Sequence, residues 1–234
     1  MDSSDATLYR EYRSQRGDEW IYRAIVERYF PPLRDSRILD LGCGNGALLQ
    51  SAHAMGYANL RGVDRSPRQI ADARASYICE GDLFEFIAAC PDRSQDVICT
   101  FDVIEHLMLP DNLTLAKEVW RVLDTGGRWI IHTVNGASPM SGRVLFNDLT
   151  HKWSFTPGSI QQLLSSAGFV EMEFYEERPV VHGTLSLARA ILWRLVRLVP
   201  LAWLAIESGV TNAILTPELC DGRLQAVASS AQYP

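Results

Sequence analysis

The chain has 234 residues, 47% of them hydrophobic and 21% charged, which is the composition of a folded protein with enough chain for one sizeable core. Its formal net charge of -6 excludes nonspecific nucleic-acid binding as a main role, because no basic excess exists to displace counterions from phosphates. The five cysteines (Cys43, Cys79, Cys90, Cys99, Cys220) form no C-x-x-C pair, and the start, Met1 to Asp5, has no basic region or apolar run of a secretory signal, so a cytoplasmic protein with reduced, buried thiols is expected.

No repeat or low-complexity tract interrupts the chain. Residues 1–7 are expected to be disordered. Residues 8–30 suit one or two helices, with Trp20, Ile21, Ile25 and Phe30 as apolar contacts, and Pro31-Pro32 ends them. The run Ile38-Leu39-Asp40-Leu41 reads as a buried strand. It enters Gly42-Cys43-Gly44-Asn45-Gly46 and then a helix-like run from Ala47. Glycine at every second position permits both a tight turn and the close approach of a ligand to bare backbone. A second strand, Asn59 to Asp64, ends in an acid that can accept hydrogen bonds from both hydroxyls of a ribose. A third, Tyr77 to Glu80, runs into Gly81-Asp82, and Asp82 could face an adenine amino group at the same sheet edge. The fourth, Asp96 to Thr100, leads into Phe101-Asp102-Val103-Ile104-Glu105-His106-Leu107, and the fifth, Arg128 to Thr133, follows Gly126-Gly127.

Residues 135–156 form a polar, glycine-rich connection longer than an ordinary loop, placed at the edge where open α/β sheets bind ligands. Within it, Asp148-Leu149-Thr150-His151 precedes Trp153 and Phe155. His151 is a candidate base, and the two aromatics either stack on an acceptor or plug the core, with Asp148 and Thr150 then forming a turn. Thr156-Pro157 starts a helix over Ser159 to Ala167 that Gly168 ends. The sixth strand is expected over Val170 to Glu177, and the best seventh, Arg223 to Ala228, comes only after a long insert. In that insert, residues 185–199 form a helix with Arg189, Arg194 and Arg197 within an arc of about 140°, broken by Pro200 before Leu201 to Ile206. It is too interrupted to span a membrane. An interfacial helix and a lid or dimer-forming hairpin both fit.

The ordered series D-L-G-C-G-N-G, V-D, G-D, D-V-I-E-H-L and T-G-G resembles the class I S-adenosylmethionine-dependent methyltransferases, most closely the quinone-biosynthesis O-methyltransferases, over roughly residues 20–175. The D-x-T-H segment resembles methyltransferases of bacterial surface-polysaccharide synthesis. The resemblance implies a Rossmann-like α/β fold, with a seven-stranded mostly parallel sheet in the order 3-2-1-4-5-7-6, helices on both faces and a helical insert before the last strand. It implies one methyltransferase domain over 1–234, with cofactor-covering helices at 8–30 (Tyr9, Tyr12 and Arg13 among them), an acceptor loop at 135–156 and the insert at 183–215.

S-adenosylmethionine would be held by Asp40, Gly42, Cys43, Gly44 and Gly46 at its methionine part and by Asp64 at its ribose. Asp82, Arg65 and Leu83 would lie at the adenine end, and Phe101 and Asp102 beside the sulfonium. The alternative for the acids is that they cap helices and turns. His106 or His151 would be the base. Asp102, Glu105 and His106 have the spacing at which quinone O-methyltransferases place a divalent metal. The implied reaction is O-methylation of a sugar, a glycan intermediate or a lipid-linked small molecule. A quinone or phenolic O-methyltransferase with a divalent metal is the alternative, and a non-catalytic S-adenosylmethionine-binding regulator is the alternative of another class. No nucleic-acid partner is expected. Peripheral contact with the cytoplasmic membrane or a homodimer would run through residues 185–206.

Overall fold

The computed structural model describes residues 19–73, 75–138, 141–176, 181, 183–196, 198–208 and 223–229. Its strands are β1 Ile38–Leu41, β2 Leu60–Asp64, β3 Ile78–Glu80, β4 Gln95–Phe101, β5 Leu123–Val134, β6 Glu171–Glu176 and β7 Arg223–Ser229. They form one sheet in the order β3-β2-β1-β4-β5-β7-β6, as expected from the resemblance, and β7 alone runs against the others. The helices that precede the fifth strand are α1 Glu19–Tyr29, α2 Ala47–Ala54, α3 Pro67–Asp72, α4 Leu83–Ala88 and α5 Leu109–Val122. Those that follow it are α6 Ser141–Leu145, α7 Pro157–Ala167, α8 Thr184–Val196 and α9 Leu198–Ser208. A 3-10 turn covers Ile104–His106.

Burial on both faces explains why the central strands read as continuous apolar runs. Every residue of β1 is buried. Leu39 and Leu41 join Ile98, Trp129 and Ile131 in one core, with side chains of α4, α5 and α7. Ile38 joins Val97, Cys99 and Ile130 in a second core on the opposite face, with Val26 and Tyr29 of α1 and Leu48 and Leu49 of α2. Trp129 is fully buried, and its indole N–H donates to Thr100 Oγ1 at 3.0 Å, so the one polar atom of that side chain is satisfied. At the N-terminal edge of the sheet, away from the glycine loop, Arg37 binds Asp96 at 2.6 Å and Asp124 at 2.6 Å.

Several local expectations are refined. β5 begins at Leu123 rather than after Gly127, because a bulge between the pairs Gln95–Leu123 and Val97–Arg128 absorbs the turn residues into the strand. The helix expected over Ser159 to Ala167 begins at Pro157. It is closed by a reciprocal capping box of Thr156 and Ser159 and ended by Gly168 at φ 104°. Pro200 does not break the insert. It lies inside α9, whose described residues run from Leu198 to Ser208. Cys43, Cys90 and Cys99 are buried free thiols, whereas Cys79 is exposed, because its β3 position lies beside the sheet's outer edge. Residues 1–18, with Tyr9, Tyr12 and Arg13, and Cys220 lie outside the described residues.

Candidate active site

The loop after β1 is built from left-handed backbone. Gly42 has φ 76° and Gly46 has φ 77°. A side chain at either would also collide: a Cβ on Gly42 would lie 2.5 Å from Val103 Cγ2, and one on Gly46 would lie 1.9 Å from Ile78 Cδ1. Space and φ therefore both demand glycine there. Asp64 shapes the loop from the next strand. Its Oδ2 accepts the Gly44 N–H at 2.8 Å and its Oδ1 accepts the Ser66 N–H at 2.8 Å, while burial raises its carboxyl above the ordinary value. Asp64 is thus a loop-holding residue in its own right, and each oxygen keeps a second lone pair for a ligand hydroxyl.

Asp40 is the electrostatic anomaly of this loop. It lies in β1 between Gly62 and Cys99 of the neighbouring strands and is almost completely buried. Its Oδ1 has no hydrogen-bond partner. Burial, and then the charge of Asp64, push its carboxyl up to about 8. A buried acid with an orphaned oxygen beside an open glycine loop fits a cationic ammonium group. Cys43, the remaining loop residue, is a buried thiol held well above its ordinary range by burial.

The predicted adenine end is assembled by the sheet register. Asp64 pairs with Glu80 across β2 and β3, and the Gly81 N–H donates to the Asp64 carbonyl at 3.0 Å, which brings Asp82 to the same edge. The Asp82 Oδ1 caps α4, accepting the Phe84 N–H at 2.8 Å and the Glu85 N–H at 3.3 Å. The capping role weighed from sequence is therefore observed for this residue. Arg65 and Leu83 are half-buried beside these two acids in the chain, and Leu83 packs against the core.

At the end of β4 the backbone turns through Asp102, a non-glycine residue at φ 54°. Asp102 Oδ1 lies 2.9 Å from His132 Nδ1, and the Asp102 N–H donates to the His132 carbonyl at 3.0 Å. Phe101 stacks on the His132 ring at 5.4 Å with an interplanar angle of 13°. His132 was not singled out from sequence. The signal available was a histidine near the end of an otherwise apolar strand.

Glu105 and His106 follow on the 3-10 turn and are both buried. Glu105 Oε2 accepts the Thr133 hydroxyl at 2.9 Å, while Oε1 has no partner. Burial, then the charge of Asp102, push the Glu105 carboxyl up to about 8. Its carbonyl receives the Lys152 N–H at 2.7 Å and the Trp153 N–H at 3.2 Å, which fastens the loop from Asp148 over this turn.

That loop then fixes the tautomer of His106. Thr150 Oγ1 lies 2.7 Å from Asp148 Oδ1 and 2.8 Å from His106 Nδ1. The hydroxyl has one proton, and the Asp148 carboxyl, held below its ordinary value by the Thr150 hydroxyl and amide despite its burial, only accepts. The hydroxyl proton therefore points to Asp148, His106 Nδ1–H donates to Thr150, and Nε2 carries the lone pair. Burial, then His151, push the imidazole down to about 4, so it is neutral at physiological pH. His151 stands 4.6 Å from His106, ring centre to ring centre, and its Nδ1 donates to the Leu145 carbonyl at 2.9 Å. The two aromatics of this segment divide: Phe155 is buried in the core and Trp153 is exposed.

Glu105, His106 and His151 can each place one ligand atom within 4.8 Å of the others, the metal-capable cluster among the described residues. This set differs from the sequence expectation. His151 replaces Asp102, which the β4–β5 register turns toward His132.

Residues 9–172 match the model of a methyltransferase domain. A protein of Mycolicibacterium smegmatis named a probable S-adenosylmethionine-dependent methyltransferase is 32% identical over 174 residues, which cover 72% of this chain and 62% of that protein. A ubiquinone biosynthesis O-methyltransferase of Cereibacter sphaeroides is 30% identical over 157 residues, 58% of this chain and 61% of that one. The chain thus spans about three-fifths of the length of these relatives. A methyltransferase structure from Archaeoglobus fulgidus superposes with a TM-score of 0.67 at 20% identity, covering 92% of this chain and 95% of that chain, a likeness of fold.

Proposed function

The chain belongs to the S-adenosylmethionine-dependent methyltransferases, and from that premise we propose that it methylates a hydroxyl oxygen of a sugar, a glycan intermediate or a lipid-linked small molecule. When bound, S-adenosylmethionine supplies an electrophilic methyl group on a sulfonium. Asp40 receives the ammonium of the donor's methionine part, and the glycine loop presents backbone to it. Asp64 and Asp82 take the ribose and the adenine end, with Arg65 and Leu83 flanking. Phe101 and Asp102 border the reacting centre.

The observation that carries the oxygen assignment is the chain Asp148–Thr150–His106. An alcohol hydroxyl must lose its proton as the new bond forms. His106 Nε2 takes that proton, and the positive charge it acquires is transmitted through Thr150 toward the Asp148 carboxylate, which offsets the low basicity imposed by burial. His151, beside it, orients the acceptor.

The test is transfer of a radiolabelled methyl group to a panel of nucleotide sugars, polyprenyl-linked sugars, phenols and amines, with product analysis. Label in a sugar hydroxyl, lost in His106→Gln, is the expected result. Transfer that neither His106→Ala nor His151→Ala slows would refute the assignment.

A second reading rests on the Glu105, His106 and His151 cluster and on the ubiquinone-biosynthesis relatives. In it these three residues would hold a divalent ion, which lowers the pKa of a phenolic acceptor's hydroxyl. The orphaned, buried Glu105 Oε1 suits such an ion. Activity abolished by a chelator, restored by the metal, and lost in Glu105→Gln would select this reading over the first.

A further inference from the structure

The sheet register places the insert at a functionally pointed position. β6 runs with the parallel strands and ends with the pair Glu176–Leu224, and β7 begins with the pair Arg223–Val134. Val134 is the last residue of β5, two beyond His132, which pairs with Phe101 at the end of β4. The insert therefore leaves and re-enters the sheet at the edge that carries the glycine loop, Asp102, Glu105 and His106.

What the insert exposes is largely apolar. No residue of α8 is buried. Ser186, Ala190 and Trp193, at helical spacing, are half-covered, while Leu185, Ile191, Leu192, Leu195 and Val196 are exposed on the remaining surface. In α9, Val199 is 71% exposed, Trp203 71% and Ile206 85%. An apolar surface of this extent normally marks a binding face. Arg189 and Arg194 stand exposed among these side chains. The sequence from Thr184 to Ser208 carries Arg189, Arg194 and Arg197 against the one acid Glu207, in a chain whose overall charge is -6.

The charge pattern selects the occupant. A second copy of the same face would set arginines against arginines with almost no acid to meet them. An anionic lipid surface offers phosphates to the arginines and an acyl boundary to the leucines and the tryptophan. No helix among the described residues is long and apolar enough to cross a membrane.

We propose that α8 and α9 dock the protein on an anionic membrane, lying in the interface with the active-site edge turned toward it. This deepens the reading of a lipid-linked acceptor given above and rests on it for its purpose. The docking surface itself stands on the register and the exposed side chains. A membrane-held acceptor would then meet the donor without leaving the lipid phase.

The test is flotation of the full chain with vesicles of phosphatidylcholine alone, or with roughly one-third phosphatidylglycerol. The protein should float with the anionic vesicles and much less with the neutral ones. Arg189→Glu with Arg194→Glu should weaken the partition about 30-fold, the equivalent of about 1 kcal/mol for each arginine lost at the surface. Leu192→Asp with Ile206→Asp should abolish it. All four side chains are exposed, so circular dichroism and donor binding should remain as in the unaltered protein. Absence of flotation with anionic vesicles overturns the proposal, as does a solution dimer that the Leu192 and Ile206 substitutions dissociate, which would assign the face to a second copy. Neither result touches methyl transfer to a soluble acceptor analogue, so loss of the docking surface and loss of the proposed reaction are read separately.

Discussion

Asp40 holds a proton near neutral pH in the ligand-free protein, since burial and Asp64 raise its carboxyl to about 8. A donor that brings an ammonium to its orphaned oxygen stabilises the carboxylate and must drive that proton off. At pH 7 a group titrating near 8 is about nine-tenths protonated, so close to one proton should leave Asp40 per donor bound. Below pH 8 the affinity should therefore rise with pH by up to about tenfold per unit. Calorimetry in buffers of different ionisation heat counts the protons directly.

Asp40→Asn is the control. The count for the unaltered protein should exceed that of the variant by about 0.9 at pH 7, and the variant should bind the donor weakly. The same shift has a stability consequence of definite sign. The folded pKa lies above the unfolded value of about 3.9, so the stabilising contribution is full below that value and is lost as pH rises through 8. Asn does not titrate, so the stability of Asp40→Asn relative to the unaltered, ligand-free protein should grow by about 2 kcal/mol from pH 6 to pH 8, read by denaturant titration. Equal proton counts in the two proteins, or a stability difference that ignores pH, would refute this account of the loop.

Three further outcomes are expected. Gly46→Ala combines a left-handed φ with a 1.9 Å approach to Ile78 Cδ1, so it should cost about 1–3 kcal/mol and weaken donor binding. Adding Ile78→Ala should recover only part of that stability, because the φ penalty stays; full recovery in melting experiments would mean that φ does not matter here. Thr150→Val should release the His106 tautomer, visible as mixed Nδ1–H and Nε2–H forms in nitrogen-15 NMR. Methyl transfer should fall about 10- to 100-fold and Thr150→Ser should restore both, whereas an unchanged spectrum in Thr150→Val would remove Thr150 from the relay. Arg37→Met breaks the Asp96 and Asp124 bonds at the far edge of the sheet; a stability loss of about 1 kcal/mol is expected for these partly exposed pairs, with donor affinity unchanged by calorimetry.

Much of the donor half could be read from the chain because its signals are local. An apolar run into alternating glycines, an acid at the end of the next strand, and Thr156-Pro157 before a helix closed by Gly168 each encode a conformation within a few residues. The same locality explains what was missed. Pro200 looked like a breaker until its place inside α9 was known, and the spacing of Asp102, Glu105 and His106 gave no sign that His151 lies beside them.

The acceptor half depends on distant pairs. His132 reaches Asp102 because β4 and β5 lie in one register, Thr133 reaches Glu105 for the same reason, and the loop from Asp148 folds back over the 3-10 turn to orient His106. Periodicity and spacing carry no information about such contacts, which are set by how strands align and where a loop closes. The sequence by itself determined the strand order implied by its motifs, the need for glycine at the donor loop, and the apolar, arginine-bearing character of the insert. Only the tertiary structure decided which nitrogen of His106 holds the lone pair, that His151 lies beside Glu105 and His106, and that β6 ends and β7 begins at the active-site edge, because each of these follows from contacts between segments far apart in the chain.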